Sequence, residues 1–303
     1  MARWILKAAA QGVISRLPGA ARINEVLQRR FGTLRLDAVM AETKWRRCVR
    51  HLAHHAARPG PRAAELAVLE LGTGWYPVAP IAFFLLGARH IVSLDNVEHL
   101  DPARVREAAR AVLDLLDRGR IQGALPARVP AVERLAGSAG DAVALRGVGV
   151  EVAVADARSW GRAGSGAIDL FVSNNTLEHI PPGVLRDILR QFRRIAAPGA
   201  VMSHWIDLSD HYSHFDPSIG AYNFLAFPAP TWAWLNNDLH YQSRLRAPEY
   251  RQLHEEAGWR VVEEDRQSGA PEALREVRLA REFRRFAEAD LLVHEMWMVS
   301  VEG

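Results

Sequence analysis

The amino-acid sequence predicts an α/β fold: a Rossmann-like, doubly wound and mostly parallel sheet of seven strands. Two observations carry this. Short continuous apolar runs recur through the middle of the chain, each ending at a glycine, an aspartate or an asparagine, as buried parallel strands do. Helical segments alternate with them, which implies right-handed crossovers.

Taken in order, residues 1–58 read as mostly helical, with a break at Pro18-Gly19. "LAVLELG" (66–72) is the first strand, and a helix is expected to begin near Val78. "HIVSLD" (90–95) is the second strand. The helix at 102–119 puts Val105, Ala109, Val112 and Leu116 on one face and stops at Gly119, obeying helix start and stop rules. "VEVAVAD" (150–156) and "IDLFVSNN" (168–175) are the third and fourth strands. A helix is expected over 181–199, opened by proline and closed at Pro198-Gly199, before the fifth strand "AVMSHWID" (200–207). Residues 259–265 and 291–301 read as the last two strands, linked through a charged helical stretch.

Composition narrows the function classes. The 303 residues are 49% hydrophobic and 24% charged, with a net charge of +3, as in an ordinary globular protein. Lys7 and Lys44 are the only lysines, and acid is interleaved with arginine throughout, so no nucleic-acid partner is expected. Cys48 is the single cysteine, which excludes an intrachain disulfide and a cysteine-rich zinc site. The apolar run from Val78 to Ala88 is broken by Pro80 and Gly87 and is too short to span a bilayer. Lys7, Gln11 and Arg16 interrupt any signal-peptide core, so a cytoplasmic protein with no integral membrane segment is expected.

In an open parallel sheet, ligands bind beyond the carboxyl ends of the strands. Glu70 and Gly72-Thr73-Gly74 end the first strand, where two glycines permit a tight turn and close backbone approach to a ligand. Asp95 ends the second strand, where a carboxylate can accept from both hydroxyls of a ribose. Asp156 ends the third and suits an exocyclic adenine amine. Together these predict a nucleoside-containing ligand. A dinucleotide fingerprint would place its third glycine at 77, which is Pro77; this argues against NAD.

Four stretches, "VLELGTGWYP", "IVSLDN", "VAVADAR" and "FVSNNTLEHIPPGVLRDILRQFRRIAAPGA", resemble the successive motifs of class I S-adenosylmethionine-dependent methyltransferases, over about residues 65–206. The "LEHI … APGA" stretch is similar to the methyltransferase-11 type. The resemblance implies a sheet ending in a reversed seventh strand and S-adenosylmethionine (SAM) as cofactor. It implies that Gly72, Thr73 and Gly74 line the methionine end, with Glu70 near the cofactor's amino group. Asp95 would hold the ribose, Asn96 would sit beside the adenine, Asp156 and Ala157 would read the adenine edge, and Asn174 would face the reacting methyl. The chain departs from the motif at Tyr76, where a third glycine is common. Bacterial proteins of this look often serve secondary-metabolite or surface-glycan biosynthesis.

Some methyltransferases of this group bind magnesium through Glu-x-x-Glu-His after the fourth strand. Here the first carboxylate is Asn175, before Glu178 and His179, which weakens a hard-cation site. The segment "HWIDLSDHYSHFD" (204–216) also has no diagnostic metal spacing. A metal-independent site is therefore expected, in which His211 or His214, with Tyr212 between them, is the general base or substrate orienter. Aromatics crowd the following stretch. Trp205, Tyr222, Trp232, Trp234, His240 and Tyr241 are the candidates for holding a small-molecule acceptor, with oxygen the preferred atom.

The expected organisation is an N-terminal helical lid or substrate region (1–58) and a methyltransferase domain (59–303) carrying a substrate-binding insertion at 207–245. A homodimer is compatible with the sequence. The rival readings are a non-catalytic SAM-binding regulator or partner subunit, and an NAD(P)-dependent oxidoreductase.

Overall fold

In a computed structural model, residues 3–15, 17, 19, 35–58, 60, 65–161, 168–237, 239 and 241–303 are described. The expected His240 lies outside them, as do residues 20–34 of the N-terminal region.

Among the described residues, the N-terminal region contributes two helices, α1 (Arg3–Ile14) and α2 (Ala38–Ala56). Asp37 caps α2 by accepting from the Met40 N–H at 2.7 Å, satisfying one of the amides a helix start leaves unpaired. The core then alternates: β1 (Ala67–Leu71), α3 (Val78–Leu85), β2 (His90–Asp95), α4 (Pro102–Asp117), α5 (Val129–Gly137), α6 (Ala142–Arg146), β3 (Val150–Val154), β4 (Ile168–Asn174), α7 (Pro182–Ile195) and β5 (Ala196–Asp207). After an insertion containing α8 (Ala229–Leu235) come α9 (Ala247–Glu256), β6 (Trp259–Ser268), α10 (Pro271–Arg275), α11 (Glu288–Leu291) and β7 (Val293–Glu302).

The seven strands form one sheet in the order β3-β2-β1-β4-β5-β7-β6. β1 through β5 pair in parallel, and β7 runs antiparallel to both β5 and β6. This is the predicted architecture, reversed seventh strand included. The strand order turns back between β1 and β4, so the crevice beyond their carboxyl ends is the switch point where such sheets bind ligands.

Alternate residues build opposite faces, as the strand period of two requires. Val68, Leu170 and Val172 join α2, α3 and α4 in one core cluster, while Leu69 and Phe171 join α7 and α9 in a second. Ala41, Trp45 and Cys48 of α2 are buried in the first cluster. A third cluster is separate from the sheet and gathers Trp4, Tyr212, Tyr222, Phe224, Trp232 and Phe283. The Trp4 N–H donates to Asp216 Oδ2 at 3.1 Å, tying α1 to the insertion.

One element differs from expectation. Helix α7 ends at Ile195, not at Gly199, and Ala196–Gly199 already belong to β5. The ladder pairs Ile168 with Ala196 and then Leu170 with Val201, a bulge that absorbs Pro198 and Gly199. Gly199 has φ 79°, which serves the bulge and gives the Pro-Gly pair a role other than stopping the helix.

Candidate functional site

A cleft of about 710 Å³ opens beyond the ends of β1, β2, β3 and β4. Gly72, Thr73, Gly74, Asp95, Asn96, Asp156, Ala157 and Asn174 all line it. The structure thus brings together eight of the nine residues named for the cofactor. The ninth, Glu70, is buried beneath the loop, where its Oε2 accepts from Ser93 Oγ at 3.2 Å. Ser93 in turn bonds Thr73 Oγ1 at 2.5 Å.

The loop after β1 needs its glycines for two different reasons. Gly72 has φ 82°, and a Cβ there would lie 2.4 Å from Thr176 Oγ1. Both the left-handed backbone and the close approach of the turn after β4 demand glycine. Gly74 has φ 65° and open space where a Cβ would be, so the constraint there is conformational only. The Gly74 N–H donates to Asp95 Oδ2 at 3.2 Å, and Asp95 Oδ1 accepts from the Val97 N–H at 3.2 Å. Asp95 therefore ties the β1 loop to the β2 loop across the cleft floor. Asp156 faces the cleft but holds Arg158, which donates from Nε and Nη2 at 2.9 and 2.6 Å to Oδ2. Trp75 lines the cleft too, its ring tilted against His99 at 4.3 Å and under the Arg104 guanidinium at 4.4 Å.

Beside this cleft lies a chamber of about 410 Å³ that shares Lys44, Gly74, Trp75, Asn174 and Asn175 with it. Arg35, Met40, Thr43, Arg47 and Tyr76 complete its walls. Most of these come from the N-terminal side of the chain and were not among the residues singled out in the sequence. No local motif marks them. The available signal was base and histidine on the inward face of an amphipathic helix: Lys44, His51, His54 and His55 of α2. Burial pushes the Lys44 ammonium down, while nearby Glu70 opposes this. Burial pushes the Glu70 carboxyl up to about 7, with Lys44 opposing.

Asn174 and Asn175 mark the boundary between the two spaces. Asn175 is the one non-glycine residue with positive φ among those described, at 53°. Its N–H donates to the Trp205 carbonyl at 3.0 Å, and Arg47 donates to its side-chain oxygen. Arg47 also stacks on Trp205 at 4.8 Å. His51 bridges Ser203 Oγ at 2.8 Å and Asn174 Oδ1 at 3.4 Å. Burial pushes His51 down to about 3, so it is neutral and acts through hydrogen bonds.

The histidine-rich segment forms a row leading away from the cleft. His179 lines the cleft. His211 follows at 4.9 Å between ring centres, and His214 lies 5.8 Å beyond His211. Asp207 Oδ2 is 3.3 Å from His211 Nε2 and 3.7 Å from His214 Nε2. Hydrogen bonds from both histidines keep the Asp207 carboxyl well below its usual range against the opposing effect of burial, and the same bond raises His214. Glu178 is fully buried, and burial pushes its carboxyl up to about 8. Tyr212 turns the other way, into the third cluster, 5.5 Å from Trp4.

The six acceptor candidates do not converge. Trp205 packs in β5 against Trp297 and Arg47. Tyr222 and Trp232 are core residues of the third cluster. The Tyr222 hydroxyl donates to the Leu292 carbonyl at 2.7 Å. Trp232 and Tyr241 border a separate hollow of about 240 Å³ near Arg244. Trp234 is 68% exposed.

No family model matches the chain, and no curated protein does. Among solved structures it is similar to a Burkholderia thailandensis 1,6-didemethyltoxoflavin-N1-methyltransferase holding 1,6-didemethyltoxoflavin and S-adenosylhomocysteine. The identity is 16%, with 93% of this chain and 86% of that one covered at a TM-score of 0.46. It is also similar to a SAM-dependent methyltransferase from Methanosarcina mazei, at 14% identity, 79% and 93% coverage and a TM-score of 0.41. Likeness at this level carries no argument about chemistry, so function rests on the site itself.

Proposed function

We propose that the chain is a SAM-dependent methyltransferase acting on a small-molecule acceptor. The observation that carries this is the convergence of Gly72, Gly74, Asp95, Asn96, Asp156, Ala157 and Asn174 on one cleft beside a second chamber. The cleft volume suits a nucleoside-sized ligand. Its loop leaves open space beside Gly74, and its far wall offers Asn174, whose Nδ2 is buried without a hydrogen-bond partner. Those groups fit a ligand with ribose hydroxyls and an amino acid end.

When bound, the cofactor supplies an electrophilic methyl on sulfur. The chain's part is alignment and proton removal. Asp95 holds the diol, and Asn174 guards the passage between the two spaces. The adjoining chamber under α2 takes the acceptor. For a hydroxyl acceptor, His211 is the base proposed over His214: it lines neither space, but it stands next to cleft-lining His179 and is oriented by Asp207. The proton passes to its imidazole by way of His179 as the acceptor oxygen attacks. Residues 1–58 contribute the chamber wall through α2, and 59–303 the cofactor half. A cytoplasmic, non-membrane enzyme fits this reading; no described helix is long and apolar enough to cross a membrane.

The test is calorimetric titration with SAM, S-adenosylhomocysteine and NADH, beside Asp95→Ala. Micromolar binding of both sulfur ligands, weakened at least tenfold in the variant, is expected. Binding of NADH alone would return the cleft to the dinucleotide class. With an acceptor in hand, His211→Ala should lower kcat at least tenfold and His214→Ala much less. Equal kcat in all three proteins would remove the base assignment.

A further inference from the structure

Among the described residues, the chamber beside the cleft has cations in its wall and no carboxylate. Arg35, Lys44 and Arg47 line it, and Met40, Trp75 and Tyr76 supply apolar surface. We infer that the acceptor is an anion: a small molecule with a carboxylate or phosphate group on an apolar or aromatic body, held by these cations. That the bound anion is the methyl acceptor rests on the methyl-transfer reading; its binding in the chamber does not.

Helix α2 shows the contrast within one element. Arg46 pairs with Glu42, and Arg50 stands 2.7 Å from Asp265. Lys44 and Arg47 turn to the chamber instead. Neither they nor Arg35 make an ion pair among the described residues. Their partners are neutral: Lys44 Nζ donates to the Tyr76 carbonyl at 3.5 Å, while Arg47 donates to the Asn175 side-chain oxygen and stacks on Trp205. Burial lowers both the Lys44 ammonium and the Arg47 guanidinium. Cations withdrawn from water are costly without an anion beside them.

The carboxylates nearest these cations are engaged elsewhere. Glu70 opposes Lys44, but it accepts from Ser93, and burial pushes it up to about 7. Glu295, Glu178 and Asp207 act on Arg47 from outside the chamber wall. Burial raises Glu295 and pushes Glu178 up to about 8, and Asp207 is held by His211 and His214. Arg47 offers an oxyanion a planar fork and Lys44 a point charge, while exposed Arg35 draws an anion to the chamber. The same charges repel a cationic acceptor. Lys44 also lines the cleft, where the carboxylate of the cofactor's amino acid end can occupy it. Arg35 and Arg47 line the chamber alone, so a second anion is read through them.

The experiment titrates the full chain calorimetrically with 4-hydroxybenzoate, phenyl phosphate and the neutral 4-hydroxybenzamide, with and without saturating S-adenosylhomocysteine. At least one anion should bind at least tenfold more tightly than the amide, through charge-assisted hydrogen bonds, and should still bind when S-adenosylhomocysteine is present. Arg47→Met and Arg35→Gln should each cut the ratio of anion to amide affinity at least threefold. Arg47→Lys should keep most of it, and S-adenosylhomocysteine affinity should stay within twofold throughout. Arg35 is exposed, so its variant keeps the test open if Arg47→Met does not fold. A purely structural role would weaken anion and amide alike and leave the ratio unchanged. No preference for either anion, or a ratio unchanged in the variants, would overturn the inference. Loss of anion binding when S-adenosylhomocysteine is added would overturn it too, by assigning the cations to the cofactor's carboxylate. If the anion binds but S-adenosylhomocysteine does not, the anion site stands and the methyl-transfer reading falls.

Discussion

The half of the cleft beyond β1 to β3 and the half beyond β4 and β5 are built by different means. The first is made of short loops, each carrying its own ligand groups: two glycines, then Asp95, then Asp156 and Ala157. The second is made of side chains from distant segments. Arg47 of α2 holds Asn175, and His51 of α2 holds Asn174. Glu178 and His179 meet His211 across two strand ends. Local backbone conformation governs the first half; long-range packing and buried charge govern the second.

Gly72→Ala breaks the first half most severely. A Cβ at 2.4 Å from Thr176 Oγ1 cannot be accommodated without moving the turn after β4. The left-handed φ adds about 1–2 kcal/mol for a residue with a Cβ. S-adenosylhomocysteine affinity should fall at least a hundredfold. Gly74→Ala meets open space and carries the conformational cost alone, so its loss should be about tenfold. Equal losses in a titration of both variants would show that φ, not the approach of Thr176, governs the loop.

Arg47→Ala addresses the second half and should have a smaller effect. It removes the donor that holds Asn175 and the stack on Trp205, and leaves the glycine loop and Asp95 intact. The expected result is about a tenfold fall in kcat/KM for the acceptor, with S-adenosylhomocysteine affinity within twofold. A matching loss of cofactor affinity would mean that the two halves are not separable.

This division also explains what was legible in the sequence. Strand ends are local features, and apolar runs that stop at Gly72, Asp95, Asp156 and Asn174 mark them without knowledge of the fold. The same runs marked the strands but not their order, and the reversed last strand was implied only by the resemblance to class I methyltransferases. The aromatics of 205–241 carried no such mark. Trp232 and Tyr222 have the composition of a pocket wall, yet they pack with Trp4 from α1, a partner more than two hundred residues away. Lys44 and Arg47 precede every motif, and only the packing of α2 on the sheet brings them to the chamber. Pro198-Gly199 has the form of a helix stop and serves a strand bulge instead, because pairing with β4 begins immediately after α7.

Glu178 provides the finest test, because its contribution can be read without an acceptor. Burial holds its carboxyl near 8 in the folded chain, above the roughly 4.3 of an unfolded glutamate. Between those values the folded state binds more protons than the unfolded one, so stability must fall as pH rises across that window and level off above it. Glutamine has the shape of the protonated acid and cannot ionise. Glu178→Gln should therefore melt within a degree of the parent near pH 4.5 and several degrees above it at pH 8.5, at roughly 2–4 °C per kcal/mol for a chain of this size. Asp207 gives the opposite sign: its carboxyl is held low by His211 and His214, so its stabilisation is present at neutral pH and is lost on acidification. A melting difference between Glu178→Gln and parent that is independent of pH would mean that Glu178 is ionised throughout, with Arg47 as its counter-ion. Both strand ends would then be electrostatically closed, and the contrast between the two halves would rest on geometry alone.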